Sequence, residues 1–378
     1  LDGETSSHCR LCGAWRGELG LEQSVEAYIA NMVSVFAEVR RVLHPAGVCF
    51  INISDTYASS VNGRAAIEVT GDDRTFRDKP LQPRGGCIKP KDLCLIPEKL
   101  MIALQESGWW VRSRCVWQKV NPIPSSVKDR PTLAHEDVWI LAKSERYFWD
   151  SWGLRELAKY GRRIHTAVGR DTKYDNQSVA GVHTLYHKKT AGSDPTGGRQ
   201  LRSVWTFPTQ PLDSRKWGSE IQHYAAFPEE LVRRCLLVGT SAWGICGKCR
   251  APWRRMVRPS EEYAKHFGSN NGADADRNGK GYRKHSAGVI VDYMTVGWEP
   301  ACRCAADAIP SLVLDPFCGS ATTGVVALRY SRDFVGIDIS YEYLGDLATK
   351  RIEHSLTAPH RKPRKPRAPI PDQLALPL

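Results

Sequence analysis

One string constrains this chain more than any other: Val313-Leu314-Asp315-Pro316-Phe317-Cys318-Gly319-Ser320-Ala321-Thr322-Thr323-Gly324. An apolar run ends in an acid, passes through a tight turn of small residues and feeds a helix. Gly319, Ser320 and Ala321 let a ligand approach the backbone closely, and the helix N-terminus offers free N–H groups. The pattern predicts a strand over 312–315, a helix over 322–330, a strand over 334–338 and a helix over 341–354. The second strand ends in Gly336-Ile337-Asp338, which places an acid 19 residues after Gly319. That spacing suits a carboxylate accepting both hydroxyls of a ribose. A strand–turn–helix without a ligand has the same local pattern, but Asp315 and Asp338 together favour a ligand.

The rest of the chain repeats the alternation of helix and strand. Val25, Tyr28, Ile29, Met32, Val35, Phe36, Val39, Val42 and Leu43 recur at helical spacing, with Ser24 placed as N-cap. Pro45-Ala46-Gly47 turns the chain into an apolar strand over 48–53. Residues 58–90 read as a long surface loop rich in Gly, Asp, Arg and Pro. A helix follows over 97–107, opened by Pro97 and closed by Gly108. Strands are expected over 109–118 and 136–142, and a helix over 228–238 opened by Pro228. Such alternation favours an α/β fold with a mostly parallel sheet under helical cover. No internal repeat is visible.

Charge and cysteine usage add two further constraints. The chain has 378 residues, 53 Lys+Arg against 41 Asp+Glu and a formal charge of +12, which suggests a polyanionic partner. Ten Lys/Arg against four Asp/Glu fall within 151–203, and a second basic cluster follows Thr357 in a Pro-rich tail. Mean hydropathy is −0.40, with no apolar run near the ~18–20 residues of a membrane span and no signal-peptide pattern. A soluble, cytoplasmic protein with no membrane partner is expected. Of twelve cysteines, Cys9 and Cys12 form one CxxC, Cys246 and Cys249 another, and Cys302 and Cys304 a CxC. Without a secretory signal, paired cysteines point to metal before disulfides. Cys246, Cys249, Cys302 and Cys304 supply four thiolates, enough for a closed tetrahedral structural zinc site, with free thiols or a redox pair as the alternatives. Cys49, Cys87, Cys94, Cys115, Cys235 and Cys318 read as core thiols.

The D-P-F-x-G-S-x-T-T string followed by G-I-D resembles the S-adenosylmethionine-binding region of amino-directed DNA methyltransferases. More narrowly it resembles the permuted (beta-type) group, in which the cofactor motif follows the catalytic region, and within it the cytosine-N4 members. The resemblance extends to Gly20-Leu21-Glu22, to 50–57, to Trp117-Gln118-Lys119-Val120-Asn121-Pro122-Ile123-Pro124 and to Arg130-Pro131-Thr132 with His135-Glu136. It also takes in Ser203-Val204-Trp205-Thr206 and 223–229. It implies an α/β, Rossmann-like, S-adenosylmethionine-dependent methyltransferase sheet with an inserted recognition region and a zinc-binding segment. Cofactor contacts would come from Asp315, Phe317, Gly319, Ser320, Thr322, Thr323 and Asp338, and from Phe227 and Pro228 over the methionine part. Ala321 departs from the family, which usually has Gly there.

The resemblance further implies methylation of an exocyclic amine on a base flipped out of double-stranded DNA, cytosine N4 before adenine N6, beside a cognate restriction endonuclease. Segment 151–203 sits where the permuted group carries target recognition. Arg162, Arg163, Arg170, Lys173, Lys188, Lys189, Arg199 and Arg202 could neutralise phosphates there, with a solvated basic loop as the alternative. Lys119 and Asn121 are further DNA-contact candidates. The family's Ser/Asp/Asn-Pro-Pro-aromatic catalytic loop is absent: no Pro-Pro pair occurs in the 378 residues. No catalytic residue is therefore assigned, and an N-terminal truncation is expected, with an inactive DNA-binding fragment as the alternative. His135, Glu136 and Asp55 are expected to have hydrogen-bonding roles. The expected organisation is 1–20 a partial zinc knuckle, 21–150 the catalytic half, 151–203 recognition and 204–245 with 305–356 the cofactor half. A zinc-ribbon-like insertion at 246–304 and a basic tail at 357–378 complete it.

Overall fold

In the computed structural model, residues 19, 20, 22, 24–58, 88–156, 199–217, 227–259 and 293–357 are described. They divide into two units, Leu1–Thr209 with Arg234–Ser311 and Gln210–Arg233 with Leu312–Leu378. In the first unit, helix α1 spans Val25–Val42, and its N-cap Ser24 accepts the Ala27 amide at 3.1 Å. Strand β1 (Val48–Ile53) follows the Pro45–Gly47 turn. Helix α2 (Ile96–Glu106) has no cap from its own N-cap residue, Leu95, which sits at φ 57. Asp55 supplies the cap from a distant part of the chain: its carboxylate accepts the amides of Leu95 at 2.9 Å and Ile96 at 3.1 Å.

Strands β2 (Trp110–Lys119), β3 (His135–Ala142) and β4 (Val204–Phe207) complete a four-stranded sheet in the order β1-β3-β2-β4. The expected mostly parallel sheet is corrected here. β3 runs antiparallel to both β1 and β2, and the β2–β4 pair alone is parallel. The physical reason lies in the connections. A helical crossover through α2 leaves β1 and β2 pointing the same way with a slot between them. β3 is reached from β2 by an irregular loop with no helix, so it enters that slot in the opposite sense. Lying between two neighbours, β3 is buried along most of its length, and its Val138-Trp139-Ile140-Leu141-Ala142 run is the signature of a central strand.

The core of this unit packs Met32 and Phe36 of α1 against Leu100, Met101 and Leu104 of α2, with Ile51, Trp109 and Leu141 from the sheet side. Phe36 meets Trp109 edge-on at 6.5 Å. One buried charge, Asp137 on β3, is held by a two-pronged contact from Arg114 at 2.7 and 3.0 Å.

Helix α3 (Glu229–Gly239) contributes residues to both units. After it, β5 (Ile245–Cys246) pairs antiparallel with β8 (Ala308–Ile309). Between them, β6 (Trp253–Pro259) and β7 (Tyr293–Pro300) form a separate two-stranded antiparallel ribbon. Gly244, at φ +126, enters this region so closely that a Cβ would lie 2.2 Å from the Ile309 carbonyl oxygen, so no other residue fits. The ribbon is fastened by Arg255, whose guanidinium reaches Asp150 at 2.8–3.2 Å and lies over the Trp298 ring at 4.4 Å. The Asp150 side chain is 3% exposed.

The second unit is a parallel pair, β9 (Leu312–Asp315) and β10 (Asp333–Gly336), connected by helix α4 (Thr322–Arg329). Gly324 faces Phe334 of β10, where a Cβ would come within 2.6 Å of the ring, so α4 lies directly against the strand. The helix expected over 341–354 is present and runs over 341–357, with a π-helical stretch, Tyr343–Ala348, inside it and helix α5 (Thr349–Thr357) as its last part.

Removing the arginine of a buried pair strands its carboxylate. Arg255→Met should destabilise the chain by roughly 3 kcal/mol, and Asp150→Asn in the same chain should recover most of it. Urea titration of the three variants checks this.

Candidate functional site

The first of the second unit's two strands ends at Asp315 and a second acid, Asp338, lies two residues past the other, and both acids are tied into the turn between β9 and α4. Asp315 follows from the end of β9. Its Oδ1 accepts the Phe317 amide at 3.0 Å and its Oδ2 accepts the Thr323 hydroxyl at 2.6 Å. Asp338 lies just past β10. Its Oδ2 accepts the Gly319 amide at 2.7 Å and its Oδ1 accepts the Ser340 amide at 2.9 Å. The Cys318 amide also donates to the Ile337 carbonyl at 2.9 Å, so the turn is sewn to the second strand by side chain and backbone together. Each carboxylate oxygen keeps acceptor capacity beyond its one internal bond.

The turn itself is left-handed in two places. Gly319 sits at φ +47 and Ala321 at φ 56, ψ 35. Glycine would adopt this conformation freely; Ala321 holds it at a cost of about 1–2 kcal/mol. Ser320, Ala321 and Thr322 are all buried. Their brace is Arg351 of α5, itself 4% exposed, which donates through Nη1 to the Ser320 carbonyl and to the Thr322 hydroxyl, the latter at 3.1 Å. Burial pulls this guanidinium below the ordinary arginine value. Sequence reasoning missed Arg351, because nothing in a basic, amphipathic helix marks which arginine turns inward.

Around the two carboxylates the surface is apolar where a surface is normally polar. Phe317 is 44% exposed, Ile337 54%, Ile339 83% and Tyr341 85%. These residues follow the carboxyl ends of the parallel strands, where open α/β sheets bind ligands. Ile339 and Tyr341 were also missed, although an apolar residue on each side of Ser340 directly after a strand was a readable signal. Phe227 is half-buried and Pro228 buried immediately before α3. The first turn of α3 is tied to the end of α4 by Glu229 and Arg329, at 2.6 Å.

Cys318 lies inside this turn. Burial, helped by the charges of Asp315 and Asp338, pushes its thiol up to about 11. Cys94 and Cys115 are buried too, as core thiols should be, whereas Cys49 and Cys235 are partly buried and Cys87 lies outside the described residues.

The other candidates are placed unequally. Lys119 pairs with Glu136 at 2.6 Å and lies over the Trp117 ring, while Glu136 also accepts from Asn52 at 3.0 Å. Trp117 is buried, stacks on Phe207 at 5.2 Å and donates to its carbonyl. Asn121 is bonded twice to Thr209, through its amide nitrogen at 3.0 Å and its carbonyl oxygen at 2.9 Å. Arg202 pairs with Glu156 at 2.7 Å and remains largely exposed. Arg199 is described in its backbone only, in a short pairing of 155–156 with 199–200. Arg162, Arg163, Arg170, Lys173, Lys188 and Lys189 lie outside the described residues, as do Cys9 and Cys12. Cys246, Cys249, Cys302 and Cys304 are brought together, with their sulfurs all within 4.8 Å of one another.

A parallel strand–turn–helix–strand with one acid ending the first strand and another just past the second is an arrangement that α/β proteins use for nucleosides. The comparisons give the family. The profile of the N6/N4 DNA methylases matches residues 10–246 and 309–350, and the chain belongs to this family. It is 30% identical to the Type II methyltransferase M.Cfr9I of Citrobacter freundii over 336 residues, 89% of this chain and 75% of that protein. It is 28% identical to the Type II methyltransferase M.SmaI of Serratia marcescens over 336 residues, 89% of this chain and 77% of that one. Among solved structures, the PvuII DNA methyltransferase (cytosine-N4-specific) aligns over 92% of this chain and 76% of that chain, at 13% identity and a TM-score of 0.45. No helix among the described residues is long and apolar enough to cross a membrane.

A thiol raised to about 11 is protonated at pH 8, with roughly one thiolate per thousand. Iodoacetamide at pH 8 should therefore leave Cys318 unlabelled in the native chain and label it in urea, as read by peptide mass spectrometry.

Proposed function

We propose that this chain is a site-specific DNA methyltransferase that carries a methyl group from S-adenosylmethionine to an exocyclic amine, cytosine N4 before adenine N6. The observation that carries the reading is the turn at 316–321, pinned by Asp315 and Asp338 and bordered by exposed apolar residues. It offers what a nucleoside needs: carboxylate lone pairs for ribose hydroxyls and apolar faces for a purine. When bound, S-adenosylmethionine supplies an electrophilic methyl group on a sulfonium.

The chain's own residues have separable tasks. Asp338 would hold the ribose hydroxyls while still fixing the Gly319 amide. Phe317, Ile339 and Tyr341 would cover the purine, and Phe227 with Pro228 would cover the methionine part. Cys318 must stay neutral beside the site, because a thiolate is a stronger nucleophile than an aromatic amine and would compete for the methyl group. The raised thiol keeps it so. The basic segment 151–203 would neutralise DNA phosphates, and its contribution would fall steeply with salt. The cytosine assignment rests on the resemblance of the flanking strings, and the Type II relatives support a place beside a cognate endonuclease.

A second reading is favoured by one sequence fact: the 378 residues contain no Pro-Pro pair, and so no loop of the family's kind to hold the amine by accepting its hydrogen bonds. In that reading the chain binds cofactor and DNA without transferring the methyl group.

Tritiated S-adenosylmethionine, duplex DNA and nucleoside chromatography separate these readings. N4-methylcytosine is the expected product, and N6-methyladenine would overturn the cytosine assignment. Cofactor binding with no incorporation would establish the second reading. No cofactor binding at all would overturn both. Asp338→Ala should weaken cofactor binding about tenfold or more, the loss of roughly 1.4 kcal/mol or more expected for hydrogen bonds to a charged group.

A further inference from the structure

The family match stops at residue 246 and resumes at 309, leaving out 247–308. That gap coincides with a structural boundary. β5 and β8 pair at its two ends, Cys246 opposite Ala308 and Ile245 opposite Ile309. The Gly247 amide closes the base by donating to the Asp307 carbonyl at 2.9 Å. The left-out segment is therefore an insertion that leaves and re-enters the family's fold through one short pairing.

By ordinary folding physics this insertion is under-supported. Among its described residues none is buried. Among its described residues the longest regular structure is the two-stranded β6–β7 ribbon, and an isolated two-stranded ribbon is marginal in water. Met256, Met294 and Val296 are exposed, and the described side-chain ties to the rest of its unit include Arg255 to Asp150 and the Trp253 ring against Trp243 at 6.3 Å. Small modules without a core rely on a staple, either a disulfide or a metal.

The staple is at the base. Cys246 and Cys249 close one turn and Cys302 and Cys304 the other, with all four sulfurs within 4.8 Å. Both turns carry the same local device. The amides of Lys248 and Cys249 bond to the Cys246 sulfur, and the amide of Cys304 bonds to the Cys302 sulfur. Each turn ends on a left-handed residue directly after its second cysteine, Arg250 at φ 64 and Ala305 at φ 49. Two N–H-lined turns thus present four sulfurs to one point.

We propose that Cys246, Cys249, Cys302 and Cys304 bind one zinc ion, and that this ion is the structural staple of the 247–308 insertion. Tetrahedral Zn–S bonds of ~2.3 Å place sulfurs about 3.8 Å apart, so the site closes by at most about 1 Å on binding. An all-sulfur donor set selects a soft, thiophilic ion and excludes magnesium or calcium. Four protein ligands leave no open position, so the ion has no catalytic role. All four cysteines bind as thiolates, those still protonated giving their protons to solvent, and the site carries a net charge of −2. Lys248, Arg250 and Arg303, interleaved with the ligands, offset that charge. The metal site is independent of methyl transfer.

Elemental analysis of the purified full-length chain tests it. About one zinc per chain is expected, falling below about 0.2 in Cys302→Ser/Cys304→Ser and unchanged in the control Cys49→Ala. Chelation should expose 247–308 to limited proteolysis while residues 24–58 stay protected. A folded wild-type chain with well under one zinc after zinc-supplemented refolding would overturn the proposal. So would full zinc retention in the double variant, or one equivalent of iron in place of zinc.

Discussion

The carboxylate of Asp338 on the amide of Gly319 is the contact on which the site depends. It joins the end of one parallel strand to the turn that follows the other, across 19 residues of sequence at 2.7 Å. Without it the turn at 316–321 would keep the Asp315 contacts, the Arg351 brace and the backbone bond from Cys318 to Ile337, but no side chain from the second strand's end. With it, the backbone of Gly319 is fixed, and the strained Ala321 is held in place by its neighbours. Each oxygen of the same carboxylate keeps acceptor capacity beyond its one internal bond. A single side chain thereby builds the turn and keeps the lone pairs on which the proposed recognition of a ribose rests.

The second unit was legible because its constraints are local. A four-residue apolar run, a turn of small residues and a closing acid specify one another over fewer than thirty positions, and the strands and helix fall where the pattern puts them. The π-helical stretch inside the last helical segment was not legible, since periodicity cannot separate a π from an α turn over six residues. In the first unit helices α1 and α2 were read almost to the residue. The antiparallel sense of β3 was not, because it depends on a loop passing through a slot made by distant strands. The polar contacts were hidden for the same reason. Asp55 caps a helix some forty residues later, Arg114 neutralises Asp137, and Arg255 holds Asp150, and each pair is joined only by the tertiary fold.

Two expectations about charge gain definition. Lys119 and Asn121, candidates for DNA contact, already have internal partners in Glu136 and Thr209. If they touch DNA they do so as braced groups whose geometry is set by the sheet, at little further cost in side-chain entropy. The cysteine pairs behave differently: a spacing read from sequence as a metal motif becomes a four-sulfur cluster at the base of an insertion that the family profile skips. The insertion and the turn at 316–321 lie in different units. The two proposals are accordingly separable, one about folding and the other about cofactor binding.

The central claim, that the turn at 316–321 is a nucleoside site, is tested most directly by a crystal structure with S-adenosylhomocysteine bound. The account predicts both ribose hydroxyls within hydrogen-bond distance of Asp338, and the purine against Ile339, Tyr341 and Phe317. A ligand bound elsewhere, or Asp338 engaged with Gly319 and Ser340 alone, would contradict it.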